Sequence, residues 1–323
     1  MRRALLVAVL LAGLTVAATL WHSTTREAES RSTPTGPTSE AAHIGVAKKV
    51  ELKIVYDNNA FDPELKTTWG FACHIDTGEA KILFDIGGDP KILLANMDRL
   101  GIAIGEIETI VLSHIHGDYI GGLPGVLNEN SRVDIYVPAS FPDDFKSRVK
   151  AYGSNLIEVH GALKICEGVM TTGELGSGII EQSLIVNSQR GLVVVTGCAH
   201  PGIANIVETT IQLTKRDVYL VVGGFHLGGA TKEEILSVVE RVRSLGVTNV
   251  APCHCSGDLA RRIFKDSFGA GYVDAGAGTI ICIEPKPTSA DCQTSNLHVD
   301  FKGRQRMFRW TTTLLRASSL ANR

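Results

Sequence analysis

At 323 residues, with 44% hydrophobic and 20% charged side chains, the chain can bury one substantial core or two. Its formal net charge of −2 excludes a bulk electrostatic attraction to nucleic acid or to an acidic partner. The seven cysteines are odd in number and spread over a long chain, so no disulfide framework is implied.

Met1-Arg2-Arg3 precedes an apolar run from Ala4 to Trp21, broken only by Gly13, Thr15 and Thr19. A positive start, a hydrophobic stretch and small residues near Val16-Ala17-Ala18 form the pattern of a secretory signal. The run also approaches the ~20 residues that cross a bilayer. Residues 1–21 are therefore read as a signal peptide or as an N-terminal membrane anchor, with the domain exported or tethered outside the cytoplasm. Left uncleaved, the segment would make the membrane a partner. Residues 22–47, rich in Ser, Thr, Glu and Ala with Pro34 and Pro37, read as a flexible spacer.

Strand-like runs follow at Val50–Tyr56, Phe71–Ile75, Ala80–Asp85, Thr109–Ser113 and Val133–Val137. Others lie at Leu184–Asn187, Leu192–Thr196, Val218–Val222, Thr248–Ala251 and Thr279–Ile283. Helical spacing marks Pro90–Leu100, Gly202–Leu213, Lys232–Leu245 and Leu259–Phe268. The third of these has a broad stripe of Ile235, Leu236, Val238, Val239, Val242 and Leu245. It opens with a capping-box pattern, Thr231 to Glu234, and closes at Gly246. Strands and helices alternating twice over suggest two sheets covered by helices, a mixed α and β class. Beyond Pro285 the pattern dissolves, and residues 286–323 read as a basic, loosely ordered tail with no nucleic-acid partner expected.

Chemistry concentrates in Ser113-His114-Ile115-His116-Gly117-Asp118-Tyr119, just past the run Ile110-Val111-Leu112. Two histidines and a carboxylate at alternating positions can point at one centre, and imidazole nitrogen with carboxylate oxygen suits a borderline divalent metal. A lone histidine after a strand is more often a satisfied structural residue; three donors within five residues favour the metal.

These residues resemble the His-x-His-x-Asp-His signature of the metallo-β-lactamase-fold superfamily, with Tyr119 where that pattern carries its last histidine. Phe84-Asp85-Ile86-Gly87 resembles the first motif of the superfamily, Gly197-Cys198-Ala199-His200 the third, Gly223-Gly224-Phe225-His226 the fourth and Pro252-Cys253-His254-Cys255 the fifth. Within it the chain is similar to the dihydropteroate-synthase-like subfamily, named after 7,8-dihydropterin-6-methyl-4-(β-D-ribofuranosyl)aminobenzene-5′-phosphate synthase. Asp57-Asn58, Trp69-Gly70-Phe71, Asn96-Met97, Thr172-Gly173-Glu174-Leu175 and Glu181-Gln182-Ser183-Leu184 carry that likeness.

The resemblance implies an α/β fold, a four-layer αββα sandwich over residues 48–285. It implies one metal on His114, His116 and His200, with Asp118 and His254 contributing to a second. His226 would stand where a bridging carboxylate is common, and Asp85 would brace the metal loop rather than bind. A phenol ionises near 10, so Tyr119 is a poorer ligand than imidazole. Three outcomes follow: a one-metal centre, a second site completed by tyrosinate, or a decayed second site. The first is favoured, with zinc as the ion and manganese or iron as alternatives.

The implied activity is hydrolysis of a small ester, lactone or phosphoester by a metal-activated water, with Asp118 orienting the nucleophile. A metal-assisted transferase of the pterin type and a non-catalytic, tethered metal-binding domain are the alternatives. Cys253 and Cys255, flanking His254, read either as soft metal ligands or as small buried residues, and the second is favoured. Trp69 and Phe71 read either as a surface for a flat ring or as ordinary core.

Overall fold

The computed structural model describes residues 44–284 and the backbone of 297–300. The N-terminal segment, nearly all of the spacer and most of the tail lie outside the described residues. Among the described residues no helix is long and apolar enough to cross a membrane.

In chain order the strands are β1 (Glu51–Tyr56), β2 (Ala72–Asp76), β3 (Lys81–Phe84), β4 (Thr109–Val111), β5 (Asp134–Pro138), β6 (Asn155–Val159) and β7 (Leu163–Cys166). They continue as β8 (Val169–Thr171), β9 (Leu184–Ser188), β10 (Gly191–Thr196), β11 (Val218–Gly224), β12 (Asn249–Cys253), β13 (Ile280–Ile283) and β14 (Leu297–Asp300). One sheet has the order β14-β13-β1-β2-β3-β4-β5-β6 and the other β12-β11-β10-β9-β8-β7. In the first, β3 to β6 run parallel; in the second, β10, β11 and β12 do. Parallel neighbours need crossover connections, and helices supply most of them. These are α1 (Pro90–Arg99), α2 (Gly117–Ile120), α3 (Leu123–Glu129), α4 (Asp143–Ala151), α5 (Ile203–Thr214), α6 (Lys232–Ser244) and α7 (Asp258–Phe268).

Side-chain alternation builds the layers. Leu52, Ile54, Ile75, Ile82 and Phe84 of the first sheet face Leu184, Val186, Val193, Val195 and Val222 of the second in one buried cluster. Residues of opposite parity, Leu83 and Ile110 among them, pack outward on Leu93, Met97, Val126 and Phe145 of α1, α3 and α4. On the far side Leu192, Val194 and Val221 pack on Ile206, Ile235, Val239 and Phe264 of α5, α6 and α7. The result is the expected αββα sandwich.

The third predicted helix is α6. Its capping box is complete, with Thr231 accepting from the Glu234 amide and the Glu234 carboxylate returning to the Thr231 amide. Leu236 departs from the expected stripe. It is exposed, because the buried face is the narrower one of Ile235, Val239 and Val242. Four elements were not foreseen within residues 143–171: α4, the edge strands β6 and β7, and the short β8. α4 is mostly polar, and the strands are short with charged or amide residues among the apolar ones of β6 and β7, so neither period stands out. The backbone of β14 adds an edge strand beside β13 where only a tail was expected.

Candidate metal centre

Four chain segments converge because of strand direction. β10, β11 and β12 are parallel, so the segments that follow them emerge at one edge of their sheet and bring His200, His226 and His254 there. The loop after β4 approaches from the other sheet with His114, His116 and Asp118. Close backbone approach demands glycine at the junction. A Cβ at Gly197 would stand 2.2 Å from Ser113 Oγ, and one at Gly224 would stand 2.6 Å from both Cys255 Sγ and the Gly197 carbonyl. Backbone is held in the left-handed region at Asp85, Ala199, His226 and His254, with φ of 55°, 60°, 51° and 46°. Strain of this kind persists where surrounding contacts over-determine it, and it clusters at functional sites.

Donor atoms of His114, His116 and His200 all lie within 4.8 Å of one another. Nε2 of His114 is 3.1 Å from Nδ1 of His116, and the ring of His200 lies 4.7 and 5.0 Å from those two by centroid. Two of the rings, those of His114 and His200, are oriented from behind. Ser113 Oγ is 2.8 Å from His114 Nδ1. The wholly buried Glu181 takes His200 Nδ1 at 2.9 Å and also accepts from the backbone amides of Ala199 and His200. Burial opposes the charge of Glu181, but the hydrogen bond to His200 and the nearby His114 outweigh it, holding the carboxyl below its usual range. An ionised Glu181 fixes the proton of His200 on Nδ1 and leaves Nε2 with its lone pair facing inward. Burial, together with His200 and His116, pushes His114 down to about 3 and keeps it neutral. Imidazoles sharing one focus are a donor set that suits a divalent cation.

The second group stands next to the first. The His254 backbone amide donates to Asp57 Oδ2 at 3.0 Å, and the ring Nδ1 meets Asn58 Oδ1 at 2.8 Å. The Asn58 amide nitrogen reaches the His254 carbonyl, which sets that amide's orientation. Nε2 is turned into the site, 3.4 Å from Asp118 Oδ2, wholly buried and without a hydrogen bond. Burial works against charge on this ring, yet the interactions with Asp118 and Cys198 prevail and raise it to about 9. The surroundings select a positive charge at this position. Burial opposes the charge of Asp118 as well, and the contact with His254 overcomes it and keeps the carboxyl below its usual range.

All six sequence-predicted ligands are therefore brought to one place, with His226 the outermost, its ring 4.5 Å from that of His200. Asp85 is buried beneath them and accepts from the Ser113 amide at 2.7 Å. Tyr119 is wholly buried, and its hydroxyl lies 3.0 Å from Cys198 Sγ. Burial raises this phenol well above its usual value, so it is neutral and engaged with sulfur, which argues against tyrosinate. The two aromatics part company. Phe71 is core, whereas Trp69 is 58% exposed with its ring 4.6 Å from that of His254.

Sequence reasoning gave no role to Glu181, Asn58 or Cys198. Glu181 and Asn58 fall in segments noted for their family likeness, but only the fold reveals which histidine each one holds. Beside His200 and His226 opens a cleft of about 520 Å³ whose walls include Leu175, Ile179, Pro201, Asn205 and Thr209, with no lysine or arginine among the lining residues.

The sequence profile of the Metallo-beta-lactamase superfamily matches residues 71–206, which include His114, His116, Asp118 and His200. The chain is 28% identical to a Methanocaldococcus jannaschii 7,8-dihydropterin-6-methyl-4-(β-D-ribofuranosyl)-aminobenzene-5′-phosphate synthase, over 62% of this chain and 84% of that protein. A crystal structure of a metal-dependent hydrolase of the β-lactamase superfamily superposes with a TM-score of 0.61 at 26% identity, covering 72% of this chain and 98% of the other. The metallo-β-lactamase-fold protein YhfI from Bacillus subtilis shares the fold, with a TM-score of 0.56 at 14% identity over 72% and 99% of the two chains.

Proposed function

We propose that this chain, a member of the metallo-β-lactamase superfamily, is a metal-dependent hydrolase of a small ester or lactone. The observation that carries the reading is the convergence of three imidazoles, from His114, His116 and His200, on one focus, with His114 and His200 braced from behind. A divalent cation held there, zinc before manganese or iron, would supply Lewis acidity and lower the pKa of a water from 15.7 to about 7.

The protein's own groups do the rest. Glu181 keeps the His200 proton on Nδ1, so Nε2 remains a donor throughout. Asp118, half-buried and ionised, would accept a hydrogen bond from the attacking water and fix its direction. The cleft beside His200 and His226 receives the acyl portion against Leu175, Ile179 and Pro201, and its walls exclude water from one side of the reacting carbonyl. Because no cationic side chain lines that cleft, a neutral acyl substrate fits it better than a phosphoester. Residues 1–21 support an exported or tethered location, in which the domain meets extracytoplasmic substrates.

A second reading is favoured by Trp69 and by the likeness to the pterin-named synthase. The exposed indole beside His254 offers a face on which a flat ring can stack, as a transferase joining a pterin to an aminobenzene would need. A panel of carboxylic esters, lactones, phosphoesters and pterin diphosphates, assayed with zinc, manganese or iron, separates the two. The hydrolase reading expects ester or lactone turnover that His116→Ala lowers by at least 10²-fold. Turnover of the pterin substrate alone would support the transferase, and no turnover with any member would reject both.

A further inference from the structure

We propose that the chain holds a second cation site built from the thiols of Cys198 and Cys255, with Nε2 of His254 and the Asp118 carboxylate completing it. The sulfur atoms of Cys198 and Cys255 and a ring nitrogen of His254 lie within 4.8 Å of one another, and all three residues are buried. Nε2 of His254 is a wholly buried polar atom with no hydrogen bond, aimed at this cluster by the Asn58 contact on the opposite side of its ring. Asp118 Oδ2 stands 3.4 Å from that nitrogen.

The plainer alternative is that these cysteines only fill space. Cys198, Cys253 and Cys255 all belong to the buried cluster between the sheets, and Cys253, wholly buried, fits that description. Cys255 makes a further contact. Beyond the left-handed turn at His254 its sulfur is carried over to the Cys198 loop, 57 residues away in sequence, where it meets the Cys198 carbonyl at 3.6 Å. Gly224 leaves the gap through which that sulfur passes, since a Cβ there would lie 2.6 Å from it.

Two sulfurs, one imidazole and one carboxylate are the four-donor set of a tetrahedral zinc site. Thiolate donors select zinc, cobalt or iron over magnesium and calcium. Tyr119 then has a purpose as it stands. An imidazole donor is lost at this position, two sulfurs take over, and the phenol donates to Cys198 Sγ from outside the coordination sphere. Binding exchanges the two thiol protons for the cation and releases them to solvent. On this proposal the chain holds two ions, where the sequence favours one.

Cobalt(II) titration of the full chain after chelator stripping tests this. Two equivalents should bind, with a near-ultraviolet sulfur-to-cobalt charge-transfer band. Cys198→Ser and Cys255→Ser should each abolish the band and remove one equivalent, while Cys166→Ser, on β7, leaves both intact. X-ray absorption of the zinc-loaded wild type should find sulfur at about 2.3 Å, which keeps the test decisive if either serine variant fails to fold. A wild-type spectrum with only nitrogen and oxygen ligands, or a band that survives in both serine variants, would overturn the proposal. These readouts do not involve turnover, so failure of the hydrolase reading shows separately, in the substrate panel.

Discussion

Single side chains here are set by what lies behind them. His74 is the instructive case away from the centre. It is buried on β2, neither ring nitrogen has a hydrogen bond, and burial with Lys53 pushes it down to about 4 against the opposing pull of Asp76 and Glu51. Lys81 also faces it and lowers it further. The folded state therefore holds His74 neutral between pH 6.5 and 4, while the unfolded chain binds a proton there. Stability contributed by the neutral ring is present above pH 6.5 and is lost as pH falls to about 4, a difference on the order of 3 kcal/mol. Denaturant titrations of metal-free wild type and His74→Leu should diverge in this window. The variant should lose less stability on acidification, and parallel curves would refute the argument.

Glu181 acts at the same level of detail with the opposite sign, as a buried carboxylate kept charged by the imidazole and amides that it holds. No local pattern announces such a residue. The histidines were legible because each follows an apolar run and sits in a recurrent motif. Glu181 and Cys198 were not, because their partners are chosen by strand order rather than by spacing.

Elements were readable in proportion to how fully they are buried. β10 and β11 are buried on both faces and appear in the sequence as runs rich in β-branched residues, Leu192–Thr196 and Val218–Val222. β6 and β7, at sheet edges, mix Asn, Glu and Lys with their apolar residues and carry no such signal. The α6 terminus was fully legible because capping chemistry is local, and it yields a direct expectation. Thr231→Ala removes the oxygen that accepts from the Glu234 amide and should cost about 1 kcal/mol, seen as a lowered Tm with metal content unchanged. An unaltered Tm would mean that the helix start is held by packing instead. Loss of metal would mean that α6 reaches the centre through the Phe225–Ala230 segment.

Taken together, the two sheets act as a device for gathering loops. Strand direction delivers donors from four separated segments to one edge, the glycines at 197 and 224 let those segments touch, and Glu181, Ser113, Asp57 and Asn58 aim what arrives. The fold could be read from motif order over residues 48–285. The Cys198–Cys255 pairing could not, because it depends on β11 lying between the strands that carry them. Metal content of the purified protein, measured after exhaustive dialysis, bears most directly on the imidazole cluster. Wild type should retain two transition-metal ions per chain and His116→Ala one, the remaining ion showing sulfur ligation. Equal metal content in the two proteins, or none in the wild type, would contradict the assignment of His114, His116 and His200 as a metal site.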